Sequence, residues 1–163
     1  MKKLIVIKDK DIGAIEKKIA YHMRYSARGI VRHKRQIALL HVQKFDYYKL
    51  PGGGMESTET PEQGFLREVK EEVGAEVKIV KKIGETEEFR SHTKTHQISY
   101  CLVADVIKMG APSFEADEIA DGFKVVWMPI EEALPLFKIA PKSYEGRFIV
   151  KRDLRVLEEY MKK

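Results

Sequence analysis

Leu50-Pro51-Gly52-Gly53-Gly54-Met55-Glu56-Ser57-Thr58-Glu59 leads, after seven residues, into Arg67-Glu68-Val69-Lys70-Glu71-Glu72-Val73-Gly74-Ala75. Three successive glycines behind an apolar run make a backbone that can adopt positive φ and let a ligand or cation come close. A helix starts just beyond them: Thr60 is its cap, Pro61 suits the first helical position, and Gln63 completes a T-x-x-Q capping box. Gly74 supplies the stop. Between these signals Phe65, Leu66, Val69 and Val73 recur at helical spacing and predict a buried stripe. On another face Glu68, Glu71 and Glu72 fall within roughly a quarter to a third of the circumference, at about 100° per residue. Carboxylates so crowded raise one another's pKa unless a cation lies among them. Hard divalent cations such as Mg²⁺ take oxygen ligands of this kind. Arg67 and Glu59 make an expected ion pair that would steady those ligands. Taken alone, an E-x-x-E-E run also reads as a solvated acidic face.

The spacing is more specific than its parts. Gly53, five residues, Glu59, seven residues, then Arg67-Glu68-Val69-x-Glu71-Glu72-x-Gly74-Ala75 resembles the Nudix box, G-x5-E-x7-R-E-U-x-E-E-x-G-U, where U is apolar. Every polar and glycine position matches, and Ala75 is smaller than the usual aliphatic residue, which touches packing more than chemistry. The motif covers residues 53–75. The wider order of elements, with a Trp-bearing strand followed by Pro-x-Glu-Glu, is also similar to that family but less specific.

The resemblance implies an α/β fold, an α/β/α sandwich with a mixed β-sheet. It implies a metal-dependent pyrophosphohydrolase that cleaves a nucleoside diphosphate linked to another group, with water attacking phosphorus. Mg²⁺, with Mn²⁺ as the alternative, would be held by Glu68, Glu71, Glu72 and the carbonyl of Gly52, because the glycine loop can turn its backbone inward. Glu71 and Glu72 carry the catalytic role, with Arg67 and Glu59 beside them. Related hydrolases draw a further glutamate from a loop before the late Trp strand; here Glu118 is the first choice, then Glu115, with Asp117 in the same loop. The expected substrate contacts are Gly53, Gly54, Arg28 toward a phosphate, and Tyr48 or Tyr47 stacking on a base. For Arg28 an exposed structural role is the alternative, and for the tyrosines packing at the loop entrance.

Composition sets the frame. The 163 residues suffice for one sizeable core and are too few for two ordinary domains, so one domain over 1–163 is expected. Hydrophobic residues at 44% and charged ones at 34% describe a soluble globular chain. The net charge of +5 suits an anionic ligand, while the scattered Lys and Arg form no nucleic-acid arm. Cys101 is the only cysteine, so no intrachain disulfide forms, and its strand-like setting predicts a small buried hydrophobe. Leu4-Ile5-Val6-Ile7 ends at Lys8-Asp9-Lys10-Asp11, far too early for a signal peptide, and no stretch is long enough to cross a membrane. A cytoplasmic location is expected.

Around the box, strands are predicted at residues 4–7, 25–31, 37–42, 77–83, 95–106 and 123–128, with 86–90 a further strand or the continuation of 77–83. Residues 13–20 read as a turn or short helix and 108–121 as an exposed acidic loop. A short helix runs from Pro129 to near Phe137. A C-terminal helix carries the stripe Val150, Leu154, Leu157 and Met161. His92 and His96 share a face only on a helix, and Thr93 and Thr95 favour a strand, so no zinc pair is expected. Trp127 reads as core.

Substrate choice lies outside the box. ADP-ribose hydrolases of the family tend to carry a proline some way after it, and none stands between Pro61 and Pro112. The proline- and tryptophan-rich extension of NADH-type enzymes and the tyrosine of diadenosine-polyphosphate enzymes are missing as well. Elimination leaves a purine nucleoside triphosphate, including an oxidised one, cleaved to monophosphate and pyrophosphate. The base would be read by residues 25–31, 47–50 and 85–90, with hydrogen bonds from Glu87, Glu88 or Arg90. The alternatives are an ADP-ribose or other nucleotide-sugar pyrophosphatase, a 5′-end RNA pyrophosphohydrolase with steep salt dependence, and a non-catalytic nucleotide-binding module. The expected partner is a small nucleotide rather than a membrane or nucleic acid other than an RNA 5′ end, and a homodimer is compatible.

Overall fold

The computed structural model of the chain describes residues 1–162. Those residues form an eight-stranded sheet: β1 (Lys3–Lys8), β2 (His22–His33), β3 (Gln36–Val42), β4 (Tyr47–Lys49), β5 (Gly52–Gly54), β6 (Glu76–Arg90), β7 (Thr95–Lys108) and β8 (Phe123–Met128). The main path runs β1-β6-β7-β2-β3-β4, with β5 paired to β2 and β8 to β3. The sheet is mixed, because β1–β6 and β2–β7 are parallel and the other pairs antiparallel. Four α-helices accompany it: α1 (Pro61–Glu72), α2 (Ala116–Ala120), α3 (Ile130–Ala133) and α4 (Tyr144–Met161).

Strand alternation sends successive side chains to opposite faces. From β2, Ala27 and Val31 join Leu102 and Ala104 of β7 under Phe65, Val69 and Val73 of the α1 region. Ile30, with Cys101 and Val103, faces the other way and packs with Ala133, Val150, Val156 and Leu157. Both sheet faces are therefore covered, as the α/β/α expectation requires. Cys101 is fully buried, and Trp127 is half-buried against the α1-side core.

The ends of α1 follow the local chemistry. Thr60 Oγ1 accepts from Gln63 N at 3.2 Å, Gln63 Oε1 accepts from Thr60 N at 3.0 Å, and Gly74 sits at φ +79° just past the end. Leu66 departs from the predicted stripe: it lies on the flank of α1 and is 39% exposed. The three glycines form a strand rather than a loop, pairing with Arg28, Ala27 and Ser26 of β2. Gly52 has φ +143°, and a Cβ there would stand 2.3 Å from Arg28 Cβ, so only glycine lets β5 lie so close.

Elsewhere the structure corrects the sequence reading in three places and decides between its alternatives in a fourth. Residues 14–21 have no regular structure; Lys17 N instead donates to Ser91 Oγ at 2.8 Å, and the only helical turn nearby is a 3-10 segment, Asp9–Ile12. Residues 76–90 form one strand, which decides for continuation at 86–90, because register shifts bend it without ending it. The acidic loop contains α2, whose cap Glu115 donates its N–H to Glu118 Oε1 at 2.9 Å. In α4, Met161 is 44% exposed, beyond the reach of the core. Among the described residues no helix is long and apolar enough to cross a membrane.

Candidate active site

β5 lays the box glycines alongside α1. Gly52 N donates to Glu72 Oε1 at 2.7 Å, and Glu72 is almost wholly buried. Lys49 Nζ donates to the carbonyl of Gly52 at 3.0 Å and to Glu72 Oε2 at 3.3 Å. Lys49 is buried too, with its ammonium 5.5 Å from the Phe123 ring centre. Glu68 lies against Gly53, where a Cβ would meet its carboxylate at 2.7 Å. Arg67 fastens this end together. It donates to both oxygens of Glu59 at 2.7 and 2.8 Å, to the Gly54 carbonyl at 3.0 Å and to Glu68 at 3.1 Å, and it stands 3.5 Å from Glu71. This bidentate pair anchors the loop ahead of α1 to the helix.

The charges divide into two kinds. Hydrogen bonds from Arg67 bring Glu59 down to about 2, a carboxylate fully matched by its partner. Burial pushes Glu72 up to about 8 against the pull of Lys49, and burial likewise raises Glu68 against Arg67. Burial therefore disfavours the charged forms of Glu68 and Glu72 even with Arg67 and Lys49 beside them. Among the described residues no three His, Cys, Asp or Glu side chains converge into a ready cluster. What stands there is Lys49, whose ammonium marks a cation position between the Gly52 carbonyl and Glu72. The donors around it are all oxygens, so the residues fit a hard divalent ion.

Both carboxylates open into a cavity of about 570 Å³ whose other wall is basic. Arg24 and Arg28 come from β2, Arg90 from β6 and Arg152 from α4. Alternation on β2 puts Arg24, Ser26 and Arg28 on one face, and its register with β7 sets Arg24 beside Gln97 and Ser26 beside Ser99. Arg24 donates to Gln97; Arg28 donates to Ser26 at 2.9 Å and to Ser99 at 3.2 Å. Glu88 accepts from Arg90 at 2.5 Å and from Arg152 at 3.3 Å. Asp153 accepts from Arg152 at 2.7 Å and from Leu50 N at 2.8 Å, tying α4 to the segment that enters the glycines. Burial, reinforced by neighbouring Arg152, pulls Arg28 down to about 10. For Glu88 burial acts upward, but Arg90 and Arg152 outweigh it and hold the carboxyl at about 2. The mouth is acidic, lined by Glu115, Asp117, Asp121 and the half-buried Glu118.

The structure thus gathers Gly52, Gly53, Gly54, Arg67, Glu68, Glu72, Glu118 and Arg28 on one cavity. Glu59 stands behind Arg67. Glu71 lies at the edge of this group, outside the cavity lining, with its side chain 30% exposed. Arg28 is not exposed: it is 3% accessible, in the middle of a strand that is buried on both faces. Tyr48 is placed away from the cavity, stacked on His41 at 4.3 Å between ring centres, whereas Tyr47, one residue earlier on β4, lines it. Glu87 turns to Lys3 and His96 on the opposite face. His92 stacks on Tyr144, which separates it from His96.

Arg24, Lys49, Gln97, Arg152 and Asp153 were not singled out from the sequence. The alternation Arg24-x-Ser26-x-Arg28 within an apolar strand was a signal for Arg24, and charged residues at the buried spacing of α4 one for Arg152 and Asp153, while Lys49 and Gln97 carried none.

A family model described as NUDIX domain matches residues 22–146. Two mouse (Mus musculus) proteins, diphosphoinositol polyphosphate phosphohydrolases 3-alpha and 3-beta, are each 32% identical over 93 residues, 57% of this chain and 54% of theirs. The chain spans about half the length of those relatives. A NUDIX hydrolase from Nitrosomonas europaea superposes with a TM-score of 0.68 at 14% identity, over 85% of this chain and 88% of that one. The MutT protein from Methanosarcina mazei Go1 gives 0.62 at 19% identity, over 90% and 100%. Those two likenesses concern the fold; the family model spans most of the chain, box included, and the chain belongs to the NUDIX family.

Proposed function

We propose that this chain is a divalent-metal-dependent pyrophosphohydrolase acting on a purine nucleoside triphosphate, which it cleaves to the monophosphate and pyrophosphate. One observation carries the reading: a single cavity has the box carboxylates Glu68 and Glu72 at one end and Arg24, Arg28, Arg90 and Arg152 along its opposite wall. A phosphoanhydride with a cation bound to it complements that layout.

Glu68, Glu72 and the Gly52 carbonyl would hold Mg²⁺ or Mn²⁺, with Glu71 adjacent. When bound, such an ion offsets the charge on the diphosphate and acidifies water. The chain does the rest. Gly52 N and Lys49 orient the Glu72 carboxylate, and Arg67 orients Glu68 while Glu59 holds Arg67. The water oxygen bonds to a phosphorus of the α–β bridge, the bridging P–O bond breaks, and a carboxylate of the box or Glu118 accepts the water's proton. Tyr47 and Phe123 offer the apolar surface for a purine.

A second reading is supported by the names of the mouse relatives: hydrolysis of a diphosphoinositol polyphosphate, whose phosphates also need a cation-rich pocket. The experiment is a substrate panel with Mg²⁺ or Mn²⁺ and both products identified. Pyrophosphate release from ATP, GTP or their oxidised forms is expected, with weaker turnover of ADP-ribose. Efficient turnover of ADP-ribose or a diphosphoinositol phosphate, with triphosphates untouched, overturns the substrate assignment.

A further inference from the structure

The basic wall holds guanidinium groups that no carboxylate of the described residues pairs directly. Arg28, Arg90 and Arg152 are buried, at 3%, 6% and 1% accessibility, and Arg24 stands at the mouth beside Gly54. The carboxylates lining the cavity, Glu68, Glu72, Glu118 and Glu145 among them, form no ion pair with these four guanidinium groups; those that do are Glu88 and Asp153. Both are engaged by Arg90 and Arg152. Among the described residues neither Arg24 nor Arg28 has a carboxylate within ion-pair distance; their partners are the neutral Gln97, Ser26 and Ser99. For Arg28, the buried one of the two, a charge without a counter-ion is costly, and such groups are ordinarily paired. Arg152 shows the same deficit at a single atom: its Nη2 is buried with no hydrogen-bond partner, on a side chain that lines the cavity. An unsatisfied guanidinium N–H at a cavity wall calls for an acceptor.

Resting on the pyrophosphohydrolase reading, we propose that Arg24, Arg28, Arg90 and Arg152 form an anion subsite that takes a terminal phosphate of the substrate while the glutamate end holds the anhydride. Guanidinium forks match phosphate oxygens in geometry, and a phosphate supplies the anionic acceptor that Arg28 and Arg152 Nη2 lack. The two ends are contiguous, since Arg24 lies against Gly54 and Glu68 against Gly53. The site would thereby favour substrates that end in a phosphate monoester over those, such as ADP-ribose, whose diphosphate is capped at both ends.

The test separates this subsite from hydrolysis. With EDTA present, inorganic phosphate is titrated against chloride at matched ionic strength, and the melting temperature is followed. A saturable rise with phosphate and none with chloride is expected. Glu72→Gln should retain the response, whereas Arg24→Gln should weaken it at least tenfold, about 1.4 kcal/mol. Arg28→Lys tests the buried position, with a charge retained so that the fold survives. In kinetics, Arg24→Gln should raise KM for a triphosphate at least tenfold and that for ADP-ribose less than twofold. Equal responses to phosphate and chloride, or full phosphate affinity in both arginine variants, overturn the subsite. An inactive substrate panel with phosphate binding intact overturns only the pyrophosphohydrolase reading.

Discussion

Glu88→Gln is the sharpest single perturbation of this wall. Glu88 is fully buried and accepts from Arg90, Arg152 and Gln97. Its carboxyl is held at about 2 against an ordinary 4.5. That difference corresponds to about 3 kcal/mol of folding stability at neutral pH. An independent route agrees, since breaking a buried ion pair costs about 3–5 kcal/mol. For a domain of this size about 3 kcal/mol lowers Tm by roughly 6–12 °C. The pH dependence has a definite sign. A carboxyl whose folded pKa lies below its unfolded one stabilises fully above about pH 5, and the stabilisation is lost as pH falls toward 2. Melting curves of wild type and Glu88→Gln should therefore lie furthest apart at pH 7 and converge between about pH 5 and 2. A Tm difference under 2 °C at neutral pH, or a gap that persists through the acid window, would refute the assignment of Glu88 as the counter-charge of the arginines.

Three further outcomes follow from other parts of the site. Glu72→Gln should cut Mg²⁺-dependent turnover by orders of magnitude. Because burial raises this carboxyl to about 8, its ionisation opposes folding above pH 4.5, so in EDTA the variant should gain Tm relative to wild type as pH rises from 5 to 8. Near-normal turnover sinks the role. Glu118→Gln should slow hydrolysis with Tm shifted by under 2 °C, since α2 contributes no residue to the core; if Glu115→Gln is slow instead, the base is misplaced. Thr60→Ala removes the α1 cap and should cost about 1 kcal/mol, or roughly 2–4 °C, measured by thermal unfolding. An unchanged Tm would show that the cap bond does not stabilise α1.

Residues 53–75 were legible in the sequence because their information is local. A capping box, a helical stripe, a glycine stop and three carboxylates at i, i+3 and i+4 follow from chain geometry within two dozen residues, whatever the rest of the protein does. The Arg67–Glu59 pair was legible for the same reason: the two lie at adjoining ends of one loop–helix unit. The mixed sheet was legible only as a class, and its continuous strand at residues 76–90 only as one of two alternatives, because register shifts leave no mark on composition.

The opposite wall was decided by tertiary structure. Arg24 and Arg28, Arg90, and Arg152 come from three separate elements, and sheet register brings the strand residues together: Arg24 opposite Gln97, Gln97 opposite Glu88. A slip of one residue would send each of these side chains to the other face. Tyr47 and Tyr48 illustrate the same limit, since adjacent aromatics look alike in sequence and the pleat of β4 alone points one into the cavity and the other onto His41. Lys49 is the plainest case. In sequence it is a lysine before an apolar dipeptide, and only the folding of β4 and β5 against α1 carries its ammonium to the carboxylates. The sequence by itself determined the helix and its acidic edge; the tertiary structure decided which cations face it, because that depends on contacts between segments far apart along the chain.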